Sequence, residues 1–293
     1  MAIDKHCYIS LRQLPPFFEH KHRIVYSKIE LVNEISDIQH PAVRAVLTQF
    51  PSNVGMQIHH DGDLPARSGL GSSSSFMVGL IKLVKSFNGE DIGKEDLAKW
   101  AIHLERDVLQ EHVGSQDQVW AAYGGLNRIE FGADPDFNVV PLTMNAERRK
   151  ELLENFMLFF SGYYRIASEI AEKQIHNLQD RRQQIWRMME IVDEAEVILS
   201  SPQRPLKEIG DLLHDSWSLK RELADVVSTP ALDEIMEAAL AAGARGGKVL
   251  GAGGGGFILF YVDPEHQDKV RNKLQGLVEV GFDIDEDGAT IVL

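Results

Sequence analysis

The sequence holds one cysteine, Cys7, in 293 residues. No intrachain disulfide can form, so a reducing, cytoplasmic setting is expected. Basic residues are few beside acidic ones: 30 Lys and Arg stand against 44 Asp and Glu, a net charge of −14. A chain that acidic is poorly suited to general nucleic-acid binding, which works by neutralising phosphates. A small anion held by local backbone N–H groups is still compatible with it. Long apolar runs are missing too. The stretch Phe257 to Val262 falls far short of the roughly 20 residues that span a bilayer, so no membrane partner is expected. Asp4, Lys5 and His6 stand where a secretory leader would carry its apolar stretch. There is no internal repeat of solenoid length and no long polar linker.

Three site types are absent as well. A G-x-x-x-x-G-K-[ST] phosphate loop is not present. Gly93-Lys94 and Gly247-Lys248 both lack the first glycine at the right distance and the following Ser or Thr. No G-x-S-x-G precedes a helix. The 11 histidines form no ligand cluster. His59 and His60 point to opposite faces of a strand. His20 and His22 have no cysteine or carboxylate company, and surface positions are expected.

What remains is an ordinary globular composition, 44% hydrophobic and 25% charged. The length suggests two domains. We place the boundary near 143–155, dividing the chain into residues 1–147 and 148–293. In the first half, apolar periodicity predicts strands at 7–14, 56–59 and 126–131, and helices at 41–50, 76–87 and 95–110. In the second half it predicts a strand at 155–160 and a long helical region over 166–223, interrupted near Asp180 and at Ser201-Pro202. Thr229-Pro230 starts a helix that should stop at Gly243. Strands are expected at 248–250, 257–262 and 290–293, with a helix over 264–275.

The most informative segment is Pro65-Ala66-Arg67-Ser68-Gly69-Leu70-Gly71-Ser72-Ser73-Ser74-Ser75. It joins a strand to an apolar-faced helix. Glycines allow close backbone approach to an anion, and a helix start offers unpaired N–H groups and partial positive charge. The alternative is a serine-rich cap with a tight turn, although four serines exceed what one cap requires. A second loop, Gly251-Ala252-Gly253-Gly254-Gly255-Gly256, satisfies G-x-G-x-x-G literally. It opens a buried strand and not a helix, so a dinucleotide fold is rejected. A tight loop close to a ligand fits better than a flexible linker between two apolar strands.

Two carboxylates lie between the loops. Leu97, Ala101 and Glu105 are spaced by four, so Glu105 continues an apolar helix face. There it is either paired or bound to a cation, or it sits at the stripe's edge and reaches water. Asp117, in Gly114-Ser115-Gln116-Asp117, is either functional or an ordinary first-turn aspartate.

In this order the segments resemble the GHMP kinases, the family of galactokinase, homoserine kinase and mevalonate kinase. Pro65 through Ser73 is similar to the family's P-x-x-x-G-L-G-S-S motif, and Lys248 through Gly256 to its glycine-rich third motif. Asp117-Gln118, Tyr123-Gly124-Gly125-Leu126-Asn127, His214 through Arg221 and Gly243 through Lys248 look like the branch that acts on heptose 7-phosphates. The resemblance implies an α+β fold of two domains, a ribosomal protein S5 domain 2-like N-terminal one and a ferredoxin-like C-terminal one. It implies ATP and Mg²⁺ between them. Pro65, Arg67, Ser68, Gly69, Leu70, Gly71, Ser72, Ser73 and Ser74 would hold the nucleotide. Ser73 and Glu105 would hold the metal. Asp117 would orient or deprotonate the attacking hydroxyl. Gly253 and Gly254, with the cations Arg165 and Lys220, would contact a small sugar phosphate. The expected reaction is phosphorylation of the anomeric hydroxyl of a heptose 7-phosphate. The alternatives are a kinase for another small sugar, or a catalytically impaired binding protein of the same fold.

The family's N-terminal first motif has no counterpart ahead of Ala2-Ile3-Asp4-Lys5. A strand missing there would leave a neighbouring strand with unpaired backbone groups. The expectations are lower stability, a homodimer or added strand at that edge, and weak or absent turnover.

Overall fold

The computed structural model of the chain describes residues 1–133, 136–163 and 167–292. In the first half the elements are β1 (Cys7–Leu14), β2 (His22–Val25), β3 (Ile29–Val32), α1 (Pro41–Gln49), β4 (Gly55–Gly62), α2 (Ser72–Phe87), α3 (Lys94–His103), α4 (Gln116–Tyr123), β5 (Asn127–Phe131) and β6 (Phe137–Pro141). Four of the strands form a sheet in the order β1-β4-β2-β3, with β2 and β4 parallel. Strand alternation decides which face is buried: Met56 and Ile58 of β4 point inward while His59 is exposed. The inward face meets α2 through Phe76, Met77, Leu80, Ile81 and Val84, and behind them lie α1 and α3.

The second half continues with α5 (Ala146–Glu154), β7 (Phe156–Phe160), α6 (Ala167–Asn177), α7 (Arg182–Ser200), α8 (Glu208–Arg221), α9 (Pro230–Ala241), β8 (Gly246–Val249), β9 (Phe257–Tyr261), α10 (Pro264–Lys273) and β10 (Val278–Glu279). Its antiparallel sheet runs β10-β7-β9-β8. Central β9 is buried along its whole length. Helix α8 sits close on β8: a Cβ on Gly246 would lie 1.9 Å from the Gly210 carbonyl oxygen. Helix α9 begins as predicted, with the Thr229 hydroxyl accepting from the Leu232 N–H at 3.3 Å and Pro230 in its first turn. Its stop is Gly243, at φ +112°.

Residues 284–292 return to the first sheet's side of the molecule. Ile284 bridges Ile3. Gly125 N–H donates to the Asp285 carbonyl at 2.6 Å, and Ala289 N–H to the Ala121 carbonyl at 2.8 Å. The strand expected at 290–293 is not there: 290–292 are irregular and line the cleft beside β1 without pairing with a strand. Leu293 lies outside the described residues. Strands β2, β3 and β6 and helix α5 escaped the sequence reading because their apolar patterns are only a few residues long.

Two further expectations change. The helix over 95–110 is α-helical only to His103, and then widens into a π-helical turn over Leu104–Val108. His22 is not at the surface. It alternates with Ile24 on the inward face of β2 and is 1% exposed, because strand register outweighs residue polarity here. Neither ring nitrogen has a hydrogen-bond partner among the described residues.

Candidate active site

The strand β4 delivers the chain to Pro65, and α2 takes it away from Gly71. Between them Arg67, Gly69 and Gly71 all have positive φ, +62°, +84° and +68°. Gly71 is the residue that caps α2, and no side chain caps this helix. The serines therefore do not serve as the cap, and no side chain takes up the first N–H groups of α2. Pro65 and Arg67 are exposed, Ser72 is half-buried, Ser73 is exposed and Ser74 is buried. Ser68 is fully buried, and its carbonyl accepts from the Phe257 N–H at 3.1 Å. Leu70 packs against Phe257 and Leu259 of the second sheet.

The two glycine loops touch backbone to backbone. A Cβ on Gly251 would lie 2.6 Å from the Gly69 carbonyl oxygen, and one on Gly256 would lie 2.0 Å from that of Ser68. Only glycine permits this approach. Gly253 and Gly254 are buried, and Gly254 N–H donates to the Val227 carbonyl at 2.7 Å. A cleft of about 990 Å³ opens beside the loops, lined in part by Gly71, Asp117, Trp120, Gly251 and the edge strand β1. No other strand pairs with the outer edge of β1 among the described residues.

Glu105 is 1% exposed, carried inward by the π-helical turn. Ser74 Oγ donates to it at 2.9 Å, Ser73 Oγ lies 3.5 Å away, and Gln118 Nε2 donates as well. Burial pushes its carboxyl up to about 7, against those hydrogen bonds. Of the two readings open to the sequence, Glu105 is the buried, hydrogen-bonded one. Asp117 stands at the start of α4, half-buried, with Gly71 so close that a Cβ there would lie 3.1 Å from its carboxyl carbon. Burial raises its pKa, while Lys220 pulls it down. Lys220 reaches over from α8 and donates to the Gly251 carbonyl. Arg165 lies outside the described residues. Thus Gly69, Gly71, Asp117, Lys220 and Gly251 meet at one place, with Ser73, Ser74 and Glu105 behind the same helix start.

Sequence reading places Gln118, Ser216 and Lys248 in the resemblance but assigns them no role in the site. Gln118 follows Asp117 directly and holds Glu105. Lys248 interrupts the strand Gly246–Val249 and donates to Ser216 Oγ at 3.0 Å. A lone lysine in a strand leading to a glycine loop was the available signal.

Two glycine loops, one from each half of the chain, meet beside the Asp117 carboxylate. Residues 36–125 match the family described as GHMP kinases N terminal domain, and 198–279 match GHMP kinases C terminal. The chain is 33% identical over 230 residues to D-glycero-alpha-D-manno-heptose 7-phosphate kinase of Campylobacter jejuni, spanning 77% of this chain and 68% of that protein. It is 27% identical over 238 residues to mevalonate kinase of Pyrococcus horikoshii, spanning 80% and 67%. In fold it is similar to a D-glycero-D-manno-heptose 1-phosphate kinase from Bacteriodes thetaiotaomicron, with TM-score 0.72, 23% identity, and 98% and 86% of the two chains covered. A mevalonate kinase structure gives TM-score 0.74 at 21% identity, with 97% and 91% covered. The chain belongs to the GHMP kinase family, as an ATP-using small-molecule phosphotransferase of that family's two-part α+β fold.

Proposed function

We propose that this kinase transfers the γ-phosphoryl group of ATP to the anomeric hydroxyl of a heptose 7-phosphate. The observation that carries the chemistry is Asp117 at the mouth of the cleft, against Gly71 and facing Lys220. The sugar is argued from the 33% identity to the Campylobacter jejuni heptose kinase. Residues 65–75 wrap the triphosphate, with the start of α2 directed at its oxygens. Residues 251–256 shape the opposite wall, Gly253 and Gly254 acting through the loop they hold and Lys220 at the substrate. Arg165 is a candidate for the sugar phosphate. Asp117 accepts the proton of the attacking hydroxyl.

Ser73 and Glu105 fit a magnesium ion. Glu105 is a buried carboxylate whose described partners are all neutral donors. No group of three or more His, Cys, Asp or Glu suited to a metal stands there among the described residues, so the ion would share phosphate oxygens. When bound, the ion offsets charge on the phosphates. We also propose residues 1–147 and 148–293 as the two domains that meet at this cleft.

The test is ADP release, coupled to a dye, with heptose 7-phosphate, mevalonate and galactose offered in turn. Whatever turnover the chain supports is expected with the heptose 7-phosphate. Turnover with mevalonate alone would overturn the sugar assignment. Nucleotide binding without turnover on any of them would favour an impaired binding protein.

A further inference from the structure

Two lysines of the second sheet's side lie together, one of them beside Asp117. Lys248 of β8 donates to Ser216 Oγ at 3.0 Å. Lys220 lies four residues beyond Ser216, hence on the same face of α8, and donates to the Gly251 carbonyl. The charged groups that face Lys220 are Lys248 from β8 and Asp117 from α4. Burial and the neighbouring Lys248 push Lys220 down to about 7, with Asp117 opposing. Burial lowers Lys248 too. Two half-buried cations thus face each other, and one of them, Lys220, also faces Asp117. The Gly71 end of α2, uncapped by any side chain, adjoins the same carboxylate. Two like charges held together beside an uncapped helix start suit a multiply charged anion at the reacting end.

We propose that Lys220 and Lys248 are a catalytic cation pair, brought by the second domain, that takes up the charge of the phosphoryl group while it is transferred. This rests on the kinase reading above. It also assigns Lys220 to one end of the substrate. The 7-phosphate lies at the far end of a seven-carbon chain from the hydroxyl that Asp117 must reach. Beside Asp117, Lys220 serves the reacting end and not the distal phosphate. In the transfer, the hydroxyl proton passes to Asp117 and the hydroxyl oxygen bonds to the γ-phosphorus. The bond from that phosphorus to the bridging oxygen breaks, its electron pair leaving with ADP. Both lysines keep their protons throughout.

Lys220→Met and Lys248→Met, each against Lys220→Arg and the unaltered protein, test the pair, with Gln replacements should a Met variant fail to fold. Each Met variant is expected to lose about 10²-fold in kcat with little change in KM for the sugar phosphate, and Arg to restore part of it. A raised KM with kcat intact would make the lysines substrate anchors and overturn the proposal. A second readout needs no turnover. A metal-free, non-hydrolysable ATP analogue is titrated calorimetrically at pH 8 in buffers of different ionisation enthalpy. Recharging of the two lysines by the phosphates is expected to draw in protons, and Lys220→Met to lessen that uptake. An uptake unchanged in Lys220→Met would overturn the pair. Should the unaltered protein phosphorylate no sugar phosphate, the kinase reading falls, and the uptake alone decides the lysines.

Discussion

Asp117 and Glu105 are both carboxylates raised by burial, yet their surroundings separate their roles. Asp117 faces a cation and the open cleft, whereas Glu105 faces neutral donors inside the fold. Asp117→Asn is expected to bind nucleotide normally and to lose about 10²–10⁴-fold in turnover. Calorimetry and coupled ADP release measure the two separately. Glu105→Gln is expected to raise the magnesium concentration needed for half-maximal rate, read from a metal titration. His22 tests burial itself. Burial lowers its pKa below the ordinary 6.5, so the folded state holds the neutral ring and the unfolded state protonates first. Stability should therefore fall as pH drops through about 6.5 and below. His22→Phe is expected to lessen that acid loss, seen in urea midpoints at pH 7.5 and 5. The loss should not vanish, because burial lowers His40 and His60 as well.

At the scale of elements, the two glycine loops are one structure. The Ser68 carbonyl is held by Phe257 N–H, and Gly256 passes it with no room for a methyl group. Gly256→Ala also places a side chain at φ +91°, which costs on the order of 1–3 kcal/mol before the clash is counted. Its thermal midpoint should fall, and its nucleotide affinity with it. Gly71→Val places branched carbon against Asp117 at the uncapped start of α2. A folded Gly71→Val protein that bound the ATP analogue normally would remove the triphosphate from this loop.

For the whole molecule, the decisive element is the segment 284–292, which runs from the second sheet back to the first half. Lys94 grips it, donating to the Asp287 carbonyl at 2.9 Å and to the Tyr123 carbonyl at 2.8 Å. Lys94→Met is expected to cost about 1 kcal/mol. Limited proteolysis should show faster cleavage within 284–292, with the core of either half still protected. No helix among the described residues is long and apolar enough to cross a membrane.

The order of residues alone determined the family and the two glycine loops. Glycine-rich turns and helix starts are local devices, decided by backbone geometry over about ten residues. The strand 7–14, the start of α9 at Pro230 and its stop at Gly243 were legible for the same reason. Tertiary structure decided the rest. The π-helical turn that holds Glu105 widens a helix whose apolar spacing reads as regular, and the hydrogen bonds from Ser74 and Gln118 come from other elements. The inward place of His22 follows from strand register. The meeting of Lys220, Lys248 and Asp117 joins residues more than a hundred positions apart. No local pattern carries such a contact, because it exists only once the two sheets have closed on their loops.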